Sequence, residues 1–177
     1  MNVRNPKGFT LLELLIILFI IGVIGSVAIP RVLRARMSGN EASAIGSVRA
    51  VGSAQASYSS GAAQGGYAAT LVRLAAACPG GRQGFISADL RTDPSIKSGY
   101  RVTLAAGRGS VVLAARDCNN AVNNTAFYVT AVPVRVGMTG SQGFASDTGG
   151  AVWQNKAAAG TAPPQPFVKS ATISPIQ

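Results

Sequence analysis

KGFTLLELLIILFIIGVIGSVAIP, residues 7–30, carries one acid, Glu13, near the start of a run otherwise suited to hydrocarbon. From Phe9 to Pro30 no other side chain is charged. A helix of about 22 residues rises about 33 Å, close to the thickness of a bilayer core. The segment is therefore expected in or across a membrane. A short basic leader, MNVRNPKG, stands before it with Arg4 and Lys7.

Three readings compete for this stretch. As a secretory signal peptide it would be cut after Ala28, at the small residues Ser26-Val27-Ala28, releasing a soluble exported binding protein. The run is longer than an ordinary signal core, holds a carboxylate, and leads into a further helical pattern. As a plain anchor it would need no acid at all. Thr10-Leu11-Leu12-Glu13 also matches a capping box, in which Thr10 caps the helix and Glu13 bonds back to the cap. A cap accounts for the residue type, yet a charge at membrane depth is costly enough that it should have a partner.

Lys7-Gly8-Phe9-Thr10-Leu11-Leu12-Glu13-Leu14, with the apolar run behind it and Pro30 at its end, resembles the N-terminus of type IV prepilins and their pseudopilin relatives. The resemblance covers about the first 35 residues. It implies cleavage by a prepilin peptidase between Gly8 and Phe9, methylation of the new amine of Phe9, and pairing of Glu13 with the Phe9 amine of a neighbouring subunit. Charges of opposite sign about 4 Å apart attract by roughly 4 kcal/mol at an effective dielectric near 20. The acid would then be neutralised by the next subunit and set the register between helices. The resemblance also implies an inner-membrane precursor with its head in the periplasm, and a surface filament once assembled. The partners it implies are further copies of the chain, the peptidase, an assembly platform protein, an assembly ATPase and a secretin. Arg31, Arg34 and Arg36 follow the run against two charges in the leader, a count that by the positive-inside rule alone favours the opposite orientation. The resemblance and the cysteines outweigh it.

Beyond Pro30 the sequence RVLRARMSGNEASAIGSVRAVGSAQASYSS keeps a 3.6 period through Leu33, Met37, Ala44 with Ile45, Val48, Val51 and Gln55. A helix from Phe9 to about Ser60 is expected, longer than a bilayer needs, so its second half should pack on protein. Gly22-x-x-x-Ser26, with Gly25, forms a small-residue face that lets apolar helices approach. Pro30 removes a backbone donor, so the helix is expected to kink or loosen between Gly22 and Pro30.

Residues 61–177 should form the head, with a short helix near Tyr67–Ala77. GYRVTLAA (99–106) and SVVLAAR (110–116) flank Gly107-Arg108-Gly109 and predict a hairpin. AFYVTAVPVR (126–135) reads as a strand that Pro133 confines to an edge or bulge. QGFAS (142–146) and AVWQN (151–155) predict a second hairpin, and the proline-rich tail, about 156–177, an extended or mobile end. The fold class is α+β: one long N-terminal helix, membrane-spanning then amphipathic, on a four- to five-stranded antiparallel sheet. The domain plan is a leader over 1–8, the helix over 9–60 with 9–30 as the spanning and polymerising part, and the head over 61–177.

Composition narrows the chemistry. The 177 residues include 16 Lys+Arg against 6 Asp+Glu and no histidine, for a net charge of +10. Without histidine the commonest general base and metal ligand are both missing, and no pair of acids has catalytic spacing. No enzyme activity, cofactor or metal is expected. Asp117 with Asn119 and Asn120, or Asp147, offers a weak calcium reading that turn chemistry also explains. Scattered arginines, with Tyr67, Tyr100 and Phe127 as stacking rings, make nucleic acid a side hypothesis; solubility of a head with few charges explains them as well. Cys78 and Cys118 are expected to form a disulfide if the head is exported, the alternative being two reduced buried thiols. Many family members close a C-terminal loop with their disulfide, whereas this pair would tie the segment after the helix to the second strand. The reading is a structural subunit of a type IV pilus, with a type II secretion pseudopilin as its rival.

Overall fold

A computed structural model describes residues 8–157 and 160–176; Arg4 and Lys7 of the leader lie outside the described residues. Two compact units divide the chain, Met1–Arg36 and Met37–Gln177. Helix α1, Leu11–Gly61, starts in the first and continues into the second, with Pro30 inside it. It meets the length and composition needed to cross a membrane.

In the first unit α1 has no buried side: Leu11, Leu18, Phe19, Ile24 and Ile29 are all exposed. The run supports a helix because leucine and isoleucine fill it without a proline before Pro30. It forms no intramolecular core, since its large apolar side chains are exposed all round.

In the second unit the pattern becomes amphipathic. Ala44, Ser47, Val48, Val51, Ala54, Gln55 and Tyr58 are buried along one stripe of α1, with the spacing of a helix facing a core. Small residues over most of that stripe let the sheet approach closely. Buried Gln55 ties α1 to the segment that follows it: its Nε2 donates to Ala68 O at 2.7 Å and its Oε1 accepts from Ala68 N at 3.0 Å. Expected positions Ala44, Val48, Val51 and Gln55 are inside, Met37 and Ile45 are half-buried, and Leu33 is exposed.

The short helix α2 spans Leu71–Ala75, less than the Tyr67–Ala77 expected, because Thr70 caps it and Ala76 is already extended. Eight strands follow: β1 Ser95–Lys97, β2 Tyr100–Ala106, β3 Val112–Arg116, β4 Val122–Asn124, β5 Phe127–Pro133, β6 Gly143–Asp147, β7 Trp153–Asn155 and β8 Ile173–Pro175. Six form one sheet in the order β1-β2-β5-β6-β7-β8 and two form a ribbon, β3-β4. The α+β class stands, but four or five strands is too few. Tyr100, Val102 and Leu104 of β2, Phe127, Val129 and Ala131 of β5, and Phe144 of β6 share one buried cluster with the α1 stripe.

The expected pairing of 99–106 with 110–116 does not form. Seven residues of β2 pair with β5, from Tyr100↔Pro133 to Ala106↔Phe127, while β3 pairs with β4. The turn itself exists, Ser110 N–H donating to Gly107 O at 3.0 Å. What redirects the chain is the side-chain row: β5 alternates buried and half-buried as β2 requires, whereas β3 has no fully buried position. The edge assignment of 126–135 is also corrected, since β5 lies between β2 and β6. Pro133 is tolerated as its last residue, and the following Val134 N–H bonds Gly99 O. The second hairpin, β6-β7, is present.

The tail is extended, and among its described residues it is docked. Its β8 pairs with β7, Tyr128 Oη donates to Pro163 O, and Phe167 stacks on Trp153 with centroids 5.3 Å apart. Gly143 is what admits it: a Cβ there would stand 2.2 Å from Thr161 O. Gly143→Ala should cost roughly 1–3 kcal/mol, the usual penalty of overpacking, and speed amide exchange over 160–176. Unchanged exchange would show that the tail is held otherwise.

Cys78 and Cys118 are joined, Cα atoms 5.4 Å apart and 40 residues separated, which sets aside the reduced pair. Cys78→Ser with Cys118→Ser should lower unfolding free energy by roughly 4 kcal/mol in the chain-entropy picture. Denaturant titration of both forms measures it.

Candidate assembly site

Thr10 opens α1. Its Oγ1 accepts the Glu13 N–H at 3.2 Å, and its carbonyl accepts Leu14 N–H at 3.2 Å. This is one half of a capping box. The cap engages the backbone of Glu13, and among the described residues its carboxylate has no hydrogen bond and no ion pair. Phe9 is 70% exposed beside it, and Gly8 is exposed as well. The backbone around Gly8 and Phe9 is thus open to another protein.

Gly22 and Ser26, one turn apart, lie on one face. A Cβ on Gly22 or Gly25 would meet nothing within 4 Å, so the face is unoccupied within the chain. Ser26 Oγ donates to Val23 O at 2.8 Å. Pro30 has no N–H for the Ser26 carbonyl, yet α1 stays helical through it.

The other sequence candidates resolve differently. Asp117 is buried, and both its oxygens are engaged: Oδ1 accepts the N–H groups of Asn119 (2.9 Å) and Ala121 (2.7 Å), and Oδ2 accepts Tyr58 Oη (2.6 Å) and Arg73 Nη2 (3.2 Å). Burial works to raise this carboxyl, but the Tyr58, Ala121, Arg73 and Asn119 donors outweigh it and hold it below the ordinary range. Burial and the bond to Asp117 in turn push the Tyr58 hydroxyl up. Asp147 Oδ1 accepts Gly149 N–H at 2.8 Å, an Asx turn. Among the described residues no three metal-type ligands converge. Tyr100 and Phe127 belong to the core, so they cannot stack on bases, and Tyr67 leans on Phe127 at 5.2 Å. Sequence reasoning missed the Tyr58–Asp117–Arg73 network. Tyr58 sits three residues after Gln55 on the same stripe, a signal for its burial, but nothing local links it to residues 73 and 117.

The comparisons agree with the N-terminal reading. The prokaryotic N-terminal methylation motif matches residues 3–29. The chain is 53% identical over 38 residues to the type IV wide pilus major component PilA4 of Thermus thermophilus, covering 22% of this chain and 29% of that protein. No solved structure matches the chain. The likeness lies in the N-terminal segment, where the methylation motif matches and the first residues resemble those of a type IV pilus component.

Proposed function

We propose that the chain is the structural subunit of a type IV pilus, held in the inner membrane as a precursor and polymerised through its apolar helix into an extracellular filament. The observation that carries this is the first unit of α1, apolar and exposed on every side, with a single carboxylate that finds no partner among the described residues. Such a surface is stable only in lipid or against other copies of itself. Cleavage after Gly8 and methylation of Phe9 produce the mature subunit, and its amine meets Glu13 of a neighbour. Gly22, Gly25 and Ser26 let neighbouring helices close in, and Pro30 leaves the helix free to loosen there.

The peptidase, platform protein, assembly ATPase and secretin are the partners this route requires. The wide-pilus relative favours a pilus over a secretion pseudopilus. Mass spectrometry of the mature N-terminus tests the maturation: methylated Phe9 is expected, and a chain starting at Ile29 would refute it. Electron microscopy of sheared surface material tests the assembly, with long fibres expected and envelope-confined subunit opposing it.

A further inference from the structure

We infer that Arg31, Arg34 and Arg36 form a collar that binds the phosphates of acidic phospholipid headgroups at the end of the membrane-spanning run. The inference rests on the membrane reading of residues 9–30. The three arginines follow Pro30 within six residues, are exposed, and belong to one compact unit with the apolar run. Along a helix they cover about 7.5 Å of axis, comparable to one headgroup layer. At about 100° per residue, Arg31 and Arg34 lie near one another and Arg36 about 140° round from Arg31. The charges therefore encircle the helix at one depth, as lipid headgroups would surround it.

Among the described residues no acid forms an ion pair with them. Asp89 pairs with Lys97 and Asp117 with Arg73, the ion pairs found among the described residues. Glu41 accepts both the N–H and the hydroxyl of Ser141. Asp93 accepts Leu71 N–H and Asp147 accepts Gly149 N–H. Glu13, the last of the 6 acids, is about 27 Å from Arg31 along a helix. Each further copy of the chain brings 16 Lys+Arg against 6 Asp+Glu, so a polymer adds net positive charge. Arginine presents a planar fork that fits phosphate oxygens in pairs, and its long stem lets it reach the headgroup layer from the helix. This also accounts for three positive charges beyond the run despite the count in the leader: their role is at the lipid surface.

The test uses the full chain in detergent micelles, titrated with phosphatidylglycerol or phosphatidylcholine of equal acyl length and followed by native mass spectrometry. Wild type should prefer phosphatidylglycerol by at least about tenfold, since each arginine at an acidic surface contributes about a fivefold factor. Replacing all three arginines with glutamine should remove the preference, and replacing Arg82, Arg91 and Arg135 of the head should leave it. Equal binding of the two lipids by wild type, survival of the preference in the collar variant, or its loss in the head variant would overturn the collar. Inorganic phosphate should not compete; displacement by it would make the site one for free phosphate. Alkaline extraction of cell membranes tests the underlying reading separately, because a chain that washes off is not membrane-spanning whatever lipid it prefers.

Discussion

Glu13→Ala should leave the subunit in the membrane at wild-type amount and clear the cell surface of fibres. The cap at Thr10 uses the Glu13 backbone N–H, so the substitution keeps the start of α1 and removes only the carboxylate. Alanine is also the better helix former. What disappears is the proposed attraction to the next subunit's Phe9 amine, about 4 kcal/mol at 4 Å and an effective dielectric near 20. That equals roughly a thousandfold in each association step, enough to stop growth of a polymer. Glu13→Gln should behave alike, because the amide keeps the size and loses the charge. Thr10→Ala gives the opposite control: it weakens the cap by about 1 kcal/mol and should still allow fibres. Normal fibres from Glu13→Ala, counted in sheared fractions against membrane-resident subunit, would defeat the pairing.

Asp117→Ala should destabilise the head by roughly 3–5 kcal/mol, the usual result of removing one partner of a buried ion pair. The Asp117 side chain is 3% exposed. Its loss would take the partner from Arg73, whose side chain is only 20% exposed, and from the amides of Asn119 and Ala121, and would leave the buried Tyr58 hydroxyl with Asn123 Oδ1 alone. Asp117→Asn keeps the volume and isolates the charge. A carboxyl held below its unfolded value binds its proton later on acidification than the unfolded chain does. Its stabilisation is therefore full above the unfolded value of about 3.9 and disappears as pH falls through the lower folded value. Unfolding free energy of the wild type should decline below about pH 4, and the Asn variant should decline less. Asp89, lowered by hydrogen bonds from Lys97 and Ser87, adds a smaller share because it is exposed to solvent. Equal slopes in the two proteins would show that Asp117 does not dominate the acid response.

Such a network also shows where reading by sequence stops. Residues 58, 73 and 117 come from α1, α2 and the end of the β3-β4 ribbon. The disulfide and the Cys118 N–H bond to Ala62 O join the same segments beside them, contacts with no local signature. The hairpin expected across Gly107 failed for a related reason. Turn residues specify that the chain reverses, but which strand pairs with β2 was decided by β5, whose alternating apolar row matches it over seven residues. Pro133 looked like an edge signal because a proline inside a ladder removes a donor; placed at the strand's last residue it removes none that the ladder needs.

Short-range physics made the N-terminal half legible. An unbroken apolar run, one acid three residues after a threonine cap, and a 3.6 period beyond Pro30 determine a long helix whose first part is long and apolar enough to cross a membrane and whose second part faces a core. These signals need no distant partner, because helical hydrogen bonds and periodicity join residues only a few positions apart. Tertiary structure alone decided the six-strand order, the docking of the tail over Gly143 and the burial of Asp117. Each of those joins segments far apart in sequence, where the winning contact is set by competition among surfaces across the whole head.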